Sequence, residues 1–160
     1  MAKKKAPPKR QKYKVGQVVA IPLSKRKLAY AKVFNDFDLG VYNFLTTQIE
    51  PLERVVKKKF LYFNAVTDRA IKNGTFVVIG EQPFPDEKSA YAPPMATGVF
   101  PGDPDMDTLQ IIHRGTARYA TPREAAGMDI RDFSPRPELF VKDVIDRLVK
   151  RNNRRYRIKK

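Results

Sequence analysis

Residues 15 to 44 constrain this chain most, because they hold three short apolar runs with breakers between them. Val15-Gly16-Gln17-Val18-Val19-Ala20-Ile21-Pro22-Leu23 is followed by a polar break, Ser24-Lys25-Arg26-Lys27. Leu28 to Asn35 and Gly40 to Phe44 come next. Runs this short, rich in Val, Ile, Tyr and Phe and bounded by Gly, Asp, Asn or Lys, form strands joined by tight connections. Pro22 has no N–H to donate, so the first strand ends there or lies at a sheet edge. The expectation is the start of a small antiparallel sheet.

The second and third runs alternate too loosely to name a buried face. Residues 47 to 59, with Pro51 and the run Lys57-Lys58-Lys59, show no periodicity and read as a connection. Phe60 to Val66 is the most apolar stretch and reads as a central strand with aromatics on both faces and Asn64 as its one buried polar group. Thr67 is placed to cap a short helix through Lys72, stopped by Asn73-Gly74, and Thr75 to Ile79 reads as a further strand. Between Glu81 and Asp107 six prolines rule out long regular structure, so this segment is expected to wrap the sheet in extended form. Leu109 to Ile112 is a possible added strand. Thr121-Pro122-Arg123-Glu124 is a capping box, with its helix ending at Gly127. A longer helix opens at Pro137 and runs to Lys150-Arg151, with Val141, Val144, Ile145 and Leu148 as its apolar stripe.

Charge separates the body from its ends. Fourteen of the 32 basic residues lie in residues 1–14 and 150–160, which contain no acid. That leaves 18 against all 17 acids in residues 15–149, a net of +1. Runs of this kind stay solvated and act as arms. Three uses are open to them: phosphate binding, an acidic protein surface, or solubility alone. The candidate contacts are Lys3, Lys4, Lys5, Lys9, Arg10 and Lys12 before the body, and Arg151, Arg154, Arg155, Arg157, Lys159 and Lys160 after it. Tyr13 and Tyr156 are placed to stack on bases. The expected division is a basic disordered arm over 1–12, one globular domain over 13–149 and a basic tail over 150–160.

No motif announces a catalytic centre. The chain has no cysteine, which excludes thiol nucleophiles, disulfides and Cys-based metal sites and fits a cytoplasmic setting. His113 is the one histidine; without a serine elbow nearby it reads as a strand-end or surface residue. Asp103-Pro104-Asp105-Met106-Asp107 has the alternating acids of a calcium loop, but Thr108 replaces the required Gly and Arg114 the required Glu, so a solvated loop is expected. The eight glycines are scattered singly, without a phosphate-binding loop. The early apolar run contains Gln17 and Pro22 and precedes Lys25-Arg26-Lys27, unlike a secretory signal. No run approaches the ~20 apolar residues of a membrane span, so no membrane partner is expected. No cofactor is expected either.

Several segments resemble one family. Tyr13 to Leu23, Tyr30-Ala31-Lys32-Val33 and Gly40-Val41-Tyr42 are similar to the opening of the immunity protein 26 family of bacterial polymorphic toxin systems. Phe63-Asn64-Ala65-Val66, Gly74-Thr75-Phe76 and Ile79-Gly80 resemble its middle. Ala120 to Met128 and Val144-Ile145-Asp146-Arg147-Leu148 resemble the C-terminal part of some members. Phe76 stands where the family usually has tryptophan, and Ser24 to Lys27 where it has a glycine turn. The resemblance implies a mainly β protein without catalytic activity that binds and neutralises a cognate toxin domain, the pairing being inferred from gene neighbourhood.

The expected fold is therefore α+β and mainly β: a small twisted antiparallel sheet or SH3-like half barrel with short helices and a C-terminal helix. The expected partner is a toxin protein, held through aromatic anchors among Tyr30, Tyr42, Phe44 and Tyr62 if they are not simply core. The alternative is a nucleic-acid-binding protein that uses its basic arms.

Overall fold

A computed structural model describes residues 9–97, 108–152 and 154–158. Five strands follow the apolar runs: β1 (Gln17–Pro22), β2 (Leu28–Val33), β3 (Asp38–Thr46), β4 (Phe60–Val66) and β5 (Val77–Glu81). The strands β1 to β4 form an antiparallel meander, and β5 returns to pair with β1 on its other side. Pro22 ends β1, which lies inside the sheet rather than at its edge. The tight connections after β1 and β2 hold Lys25, Arg26, Asp36 and Phe37 at φ of 58 to 61°. At Lys25 and Arg26 the backbone thus keeps the left-handed conformation that a glycine turn would supply without strain.

The fold is mainly β and α+β, as expected, and its antiparallel sheet gains one short parallel pairing. The two-residue strand β9 (Phe133–Ser134) lies parallel to β4 at the far edge, pairing Ala65 with Phe133. Strands β6 (Met95–Thr97), β7 (Gln110–His113) and β8 (Thr116–Tyr119) form a second antiparallel sheet. The acidic loop 103–107 lies outside the described residues.

Both faces of the larger sheet are covered, which explains why its strands do not alternate. On one face Val19, Ile21, Ala31, Val41 and Tyr62 meet Phe140, Val144 and Leu148. These come from α4 (Pro137–Val144) and the π-helical turn Ile145–Val149 that continues it. The short helix α2 (Arg69–Lys72) adds Ala70 and Ile71 to the same core. On the other face Val18, Ala20, Tyr30 and Tyr42 meet Leu52 and Val55 of α1 (Leu52–Val55), a helix within the segment expected to be a plain connection.

Local signals behave unevenly. Gly74 takes φ +79° at the end of α2, as a left-handed stop requires. Thr67, however, does not cap α2: the helix follows Asp68 without a side-chain cap, and the Thr67 hydroxyl is buried without a partner among the described residues. Helix α3 (Pro122–Ala125) has the full capping box; Thr121 Oγ1 accepts from Glu124 N–H at 3.3 Å, and Glu124 Oε2 accepts from Thr121 N–H at 2.8 Å. Asn64 is buried as expected, donating to Asp143 Oδ2 at 3.2 Å and accepting from Ala65 N–H at 2.8 Å.

Neither basic end is wholly free of the domain. Gln11, assigned by sequence to the arm, accepts from Val78 N–H at 3.0 Å and donates to the carbonyls of Ile71 and Phe76 at 2.9 and 2.8 Å. At the other end Tyr156 is buried with Ala96, Leu109 and Ala125. Its N–H donates to Met128 O, and its carbonyl accepts from Gly127 N–H, both at 3.0 Å. Burial removes Tyr156 from the role of a base-stacking side chain.

Candidate functional site: an aromatic patch on the outer sheet face

Helix α1 covers only part of its sheet face. The register aligns Val18, Lys32, Gly40 and Phe63 across β1, β2, β3 and β4, so these four residues share that face. Beyond α1 it is covered mainly by aromatic rings. Phe34 packs edge-on against Phe60 and Phe63 at centroid distances of 5.5 and 5.3 Å and meets Phe84 at 4.8 Å. Phe60 stacks on Tyr42 at 4.5 Å. Gly40 makes this convergence possible: a Cβ there would lie 2.8 to 2.9 Å from atoms of Phe34, Phe63 and Phe60.

The cluster is not sealed. Phe34 is buried, Phe63 and Phe84 are half-buried, and Phe60 is 36% exposed. Aromatic rings held at the surface by one another are the usual core of a protein-binding surface, because they desolvate easily and lose little rotamer freedom. Lys32 lies beneath them at 6% exposure, its Nζ 3.8 Å from the Phe84 ring centroid and donating to Gln82 Oε1 at 3.2 Å. Burial lowers the Lys32 pKa from its ordinary value. Exposed Lys57, Lys58 and Lys59 sit between α1 and β4, directly before Phe60. Lys58 Nζ reaches over the Phe44 ring at 4.7 Å.

The residues proposed from sequence are distributed differently. Tyr30, Tyr42 and Tyr62 are buried in the two cores. Tyr30 is fixed by its hydroxyl, which accepts from Glu50 N–H and donates to Gln48 O, both at 3.0 Å. Burial pushes the Tyr42 phenol up to about 12. Phe44 is half-buried, stacked on Tyr30 at 5.6 Å beneath Lys58. Phe60, Phe63 and Phe84 replace the tyrosines at the surface. The signal that could have found them is the Gly40 position opposite an aromatic strand.

The basic residues divide as well. Lys9, Arg10 and Lys12 are exposed; a groove of about 850 Å³ runs between Arg10, Lys12 and Tyr13 on one side and Asp68, Arg69 and Lys72 on the other. Arg151 donates to Asn43 Oδ1 at 3.1 Å. Arg154 pairs with Asp132 at 3.3 Å and Asp143 at 3.6 Å, and Arg155 with Asp129 at 3.7 Å. Arg157 is exposed. Lys3, Lys4, Lys5, Lys159 and Lys160 lie outside the described residues. His113 ends β7, as expected. Among the described residues no cluster of three or more His, Cys, Asp or Glu side chains is arranged to hold a metal.

Fold and surface together define a mainly β α+β domain with an aromatic patch set into one sheet face. The family model for immunity protein 26 matches residues 14–97, a span holding β1 to β6 and every residue of the patch. The chain belongs to the immunity protein 26 family. No curated protein and no solved structure gives a match.

Proposed function

We propose that this chain is the immunity partner of a bacterial toxin domain, which it neutralises by binding in the cytoplasm of the producing cell. The observation that carries this reading is that the family match contains the whole aromatic patch, while the described basic residues 9–12 and 151–158 fall outside it. Phe60, Phe63 and Phe84 supply the desolvated centre, and the lysines beside them supply the polar rim that such interfaces have. Neutralisation by covering the toxin's active groove needs no chemistry from the chain itself.

The test is co-expression with the toxin domain encoded beside this chain. Full-length protein restores growth and binds the catalytically inactivated toxin domain in titration calorimetry. Phe60→Ala with Phe63→Ala loses both effects while the protein stays folded by circular dichroism. Absence of binding by the unaltered chain rejects the reading.

A further inference from the structure

The charge of Lys32 is unmatched. Its ammonium has three N–H donors, and the structure offers it two neutral partners, the Gln82 amide oxygen and the Phe84 ring. Among the described residues no carboxylate pairs with it; Glu81, on β5 and separated from β2 by β1, is bonded to Lys14 at 2.6 Å. A cation taken out of water in this way is costly unless a counter-charge arrives. Lys57, Lys58 and Lys59, also without ion pairs among the described residues, add positive charge at the edge of the same patch.

Resting on the immunity reading above, we propose that the partner surface is acidic and that it inserts an aspartate or glutamate carboxylate against Lys32 Nζ. The half-buried Phe84 ring gives way to the incoming carboxylate, and Phe60 and Phe63 frame it. Gln82 remains as a second donor through its amide NH2. The overall charge of +15 acts in the same direction, steering an acidic surface toward the chain and repelling a basic one. The inserted contact supplies the specific part, because it is shielded from salt where the lysine rim is not.

Lys32→Met keeps the stem volume and removes the charge, and Lys32→Gln keeps a polar head. Both are titrated as full-length chains with the inactivated toxin domain, beside the unaltered protein. Binding weakens at least about tenfold in both variants. The thermal midpoint of Lys32→Met rises, since an unmatched buried charge has been removed; a merely structural lysine would lower both together. At about pH 9 to 10, near the ordinary lysine pKa, binding of the unaltered chain takes up protons, and that of Lys32→Met does not. If the unaltered chain does not bind, the immunity reading fails and this inference with it. If it binds and both variants bind within less than tenfold, the immunity reading stands and the Lys32 contact is wrong. Lys32-dependent binding of a random-sequence DNA duplex in place of the toxin domain also overturns the proposal.

Discussion

The guanidinium carbon of Arg147 lies 4.4 Å from the centroid of the Tyr62 ring, in an interior where Arg147 is 1% exposed. The arginine is thereby wedged between the sheet and its own helical turn. Its Nε donates to Asp143 Oδ1 at 3.1 Å, and its terminal nitrogens approach the carbonyls of Ile130 and Arg154 at 3.4 Å. One side chain thus ties the C-terminal helix, the segment after α3 and the last residues to β4.

Arg147→Ala leaves the Asp143 carboxylate buried without its closest cation, the half-exposed Arg154 standing 3.6 Å away. Removing one member of a buried pair typically costs about 3 to 5 kcal/mol, more than the intact pair contributes. Urea denaturation is expected to show a loss of this order for Arg147→Ala. Arg147→Ala combined with Asp143→Ala loses less than the sum of the two single changes. Strict additivity would mean that the ring contact and the carbonyl bonds, not the ion pair, hold Arg147.

Gln11 acts on the free edge of β5. Its side chain supplies both an acceptor for Val78 and a donor for Phe76, as a neighbouring strand would, and so covers groups that otherwise invite pairing with another chain. Three partly buried bonds at about 0.5 to 1.5 kcal/mol each predict a loss of roughly 2 kcal/mol for Gln11→Ala. Lys12→Ala, at an exposed position, stays within about 0.5 kcal/mol. Hydrogen exchange at the Val78 amide separates local from global effects: its protection drops in Gln11→Ala by more than the fall in global stability explains.

The strands were legible where a short apolar run had a breaker at each end, as with Pro22 after β1, and the run Phe60 to Val66 became β4 without change. Local punctuation was legible at Thr121 and Gly74, where backbone chemistry alone decides the outcome. The faces were hidden because α1, which covers one of them, has only four residues and no readable period. Without that cover in view, Tyr30 and Tyr42 could not be separated from Phe60 and Phe63, while Tyr62 lies on the opposite face under α4. The short strands β6 and β9 exist through pairing with residues far along the chain and leave no local pattern, while β8 closes on β7 across the Arg114-Gly115 turn with all four residues exposed. Tyr156 was hidden by its neighbours: Arg154 and Arg155 turn toward Asp132, Asp143 and Asp129, while the tyrosine between charged residues turns inward.

Asp38 links the first sheet to the segment after α3, through Arg131 Nε, which donates to Oδ1 at 2.9 Å. Burial pushes the Asp38 carboxyl up to about 6, against the opposing pull of Arg131. A carboxyl whose folded pKa stands above its unfolded value of about 3.9 holds more protons in the folded state across that interval. Its contribution to stability is therefore greatest below about pH 4, falls as pH rises from about 4 to 6, and is level above. A shift of about two units corresponds to roughly 3 kcal/mol. The stability difference between the unaltered protein and Asp38→Asn, followed by urea denaturation, should shift toward the unaltered protein as pH is lowered from 7.5 to about 4.5. A difference that shifts the other way would show that Arg131 outweighs burial and keeps the carboxylate ionised.

Gly40 is required by its neighbours rather than by its backbone, which lies outside the left-handed region. A methyl group there meets Phe34, Phe63 and Phe60 at once, and Phe34 is buried and cannot retreat. Overpacking of this kind costs about 1 to 3 kcal/mol. Gly40→Ala is expected to lose that much in urea denaturation, with the exposed Phe60 ring taking up most of the displacement. Phe60→Ala removes one of the three obstructing rings, so in its background Gly40→Ala costs less, by an interaction energy above about 0.5 kcal/mol. Equal costs in the two backgrounds would mean that Phe34 and Phe63 alone set the space, and that Phe60 lies on the patch without shaping it.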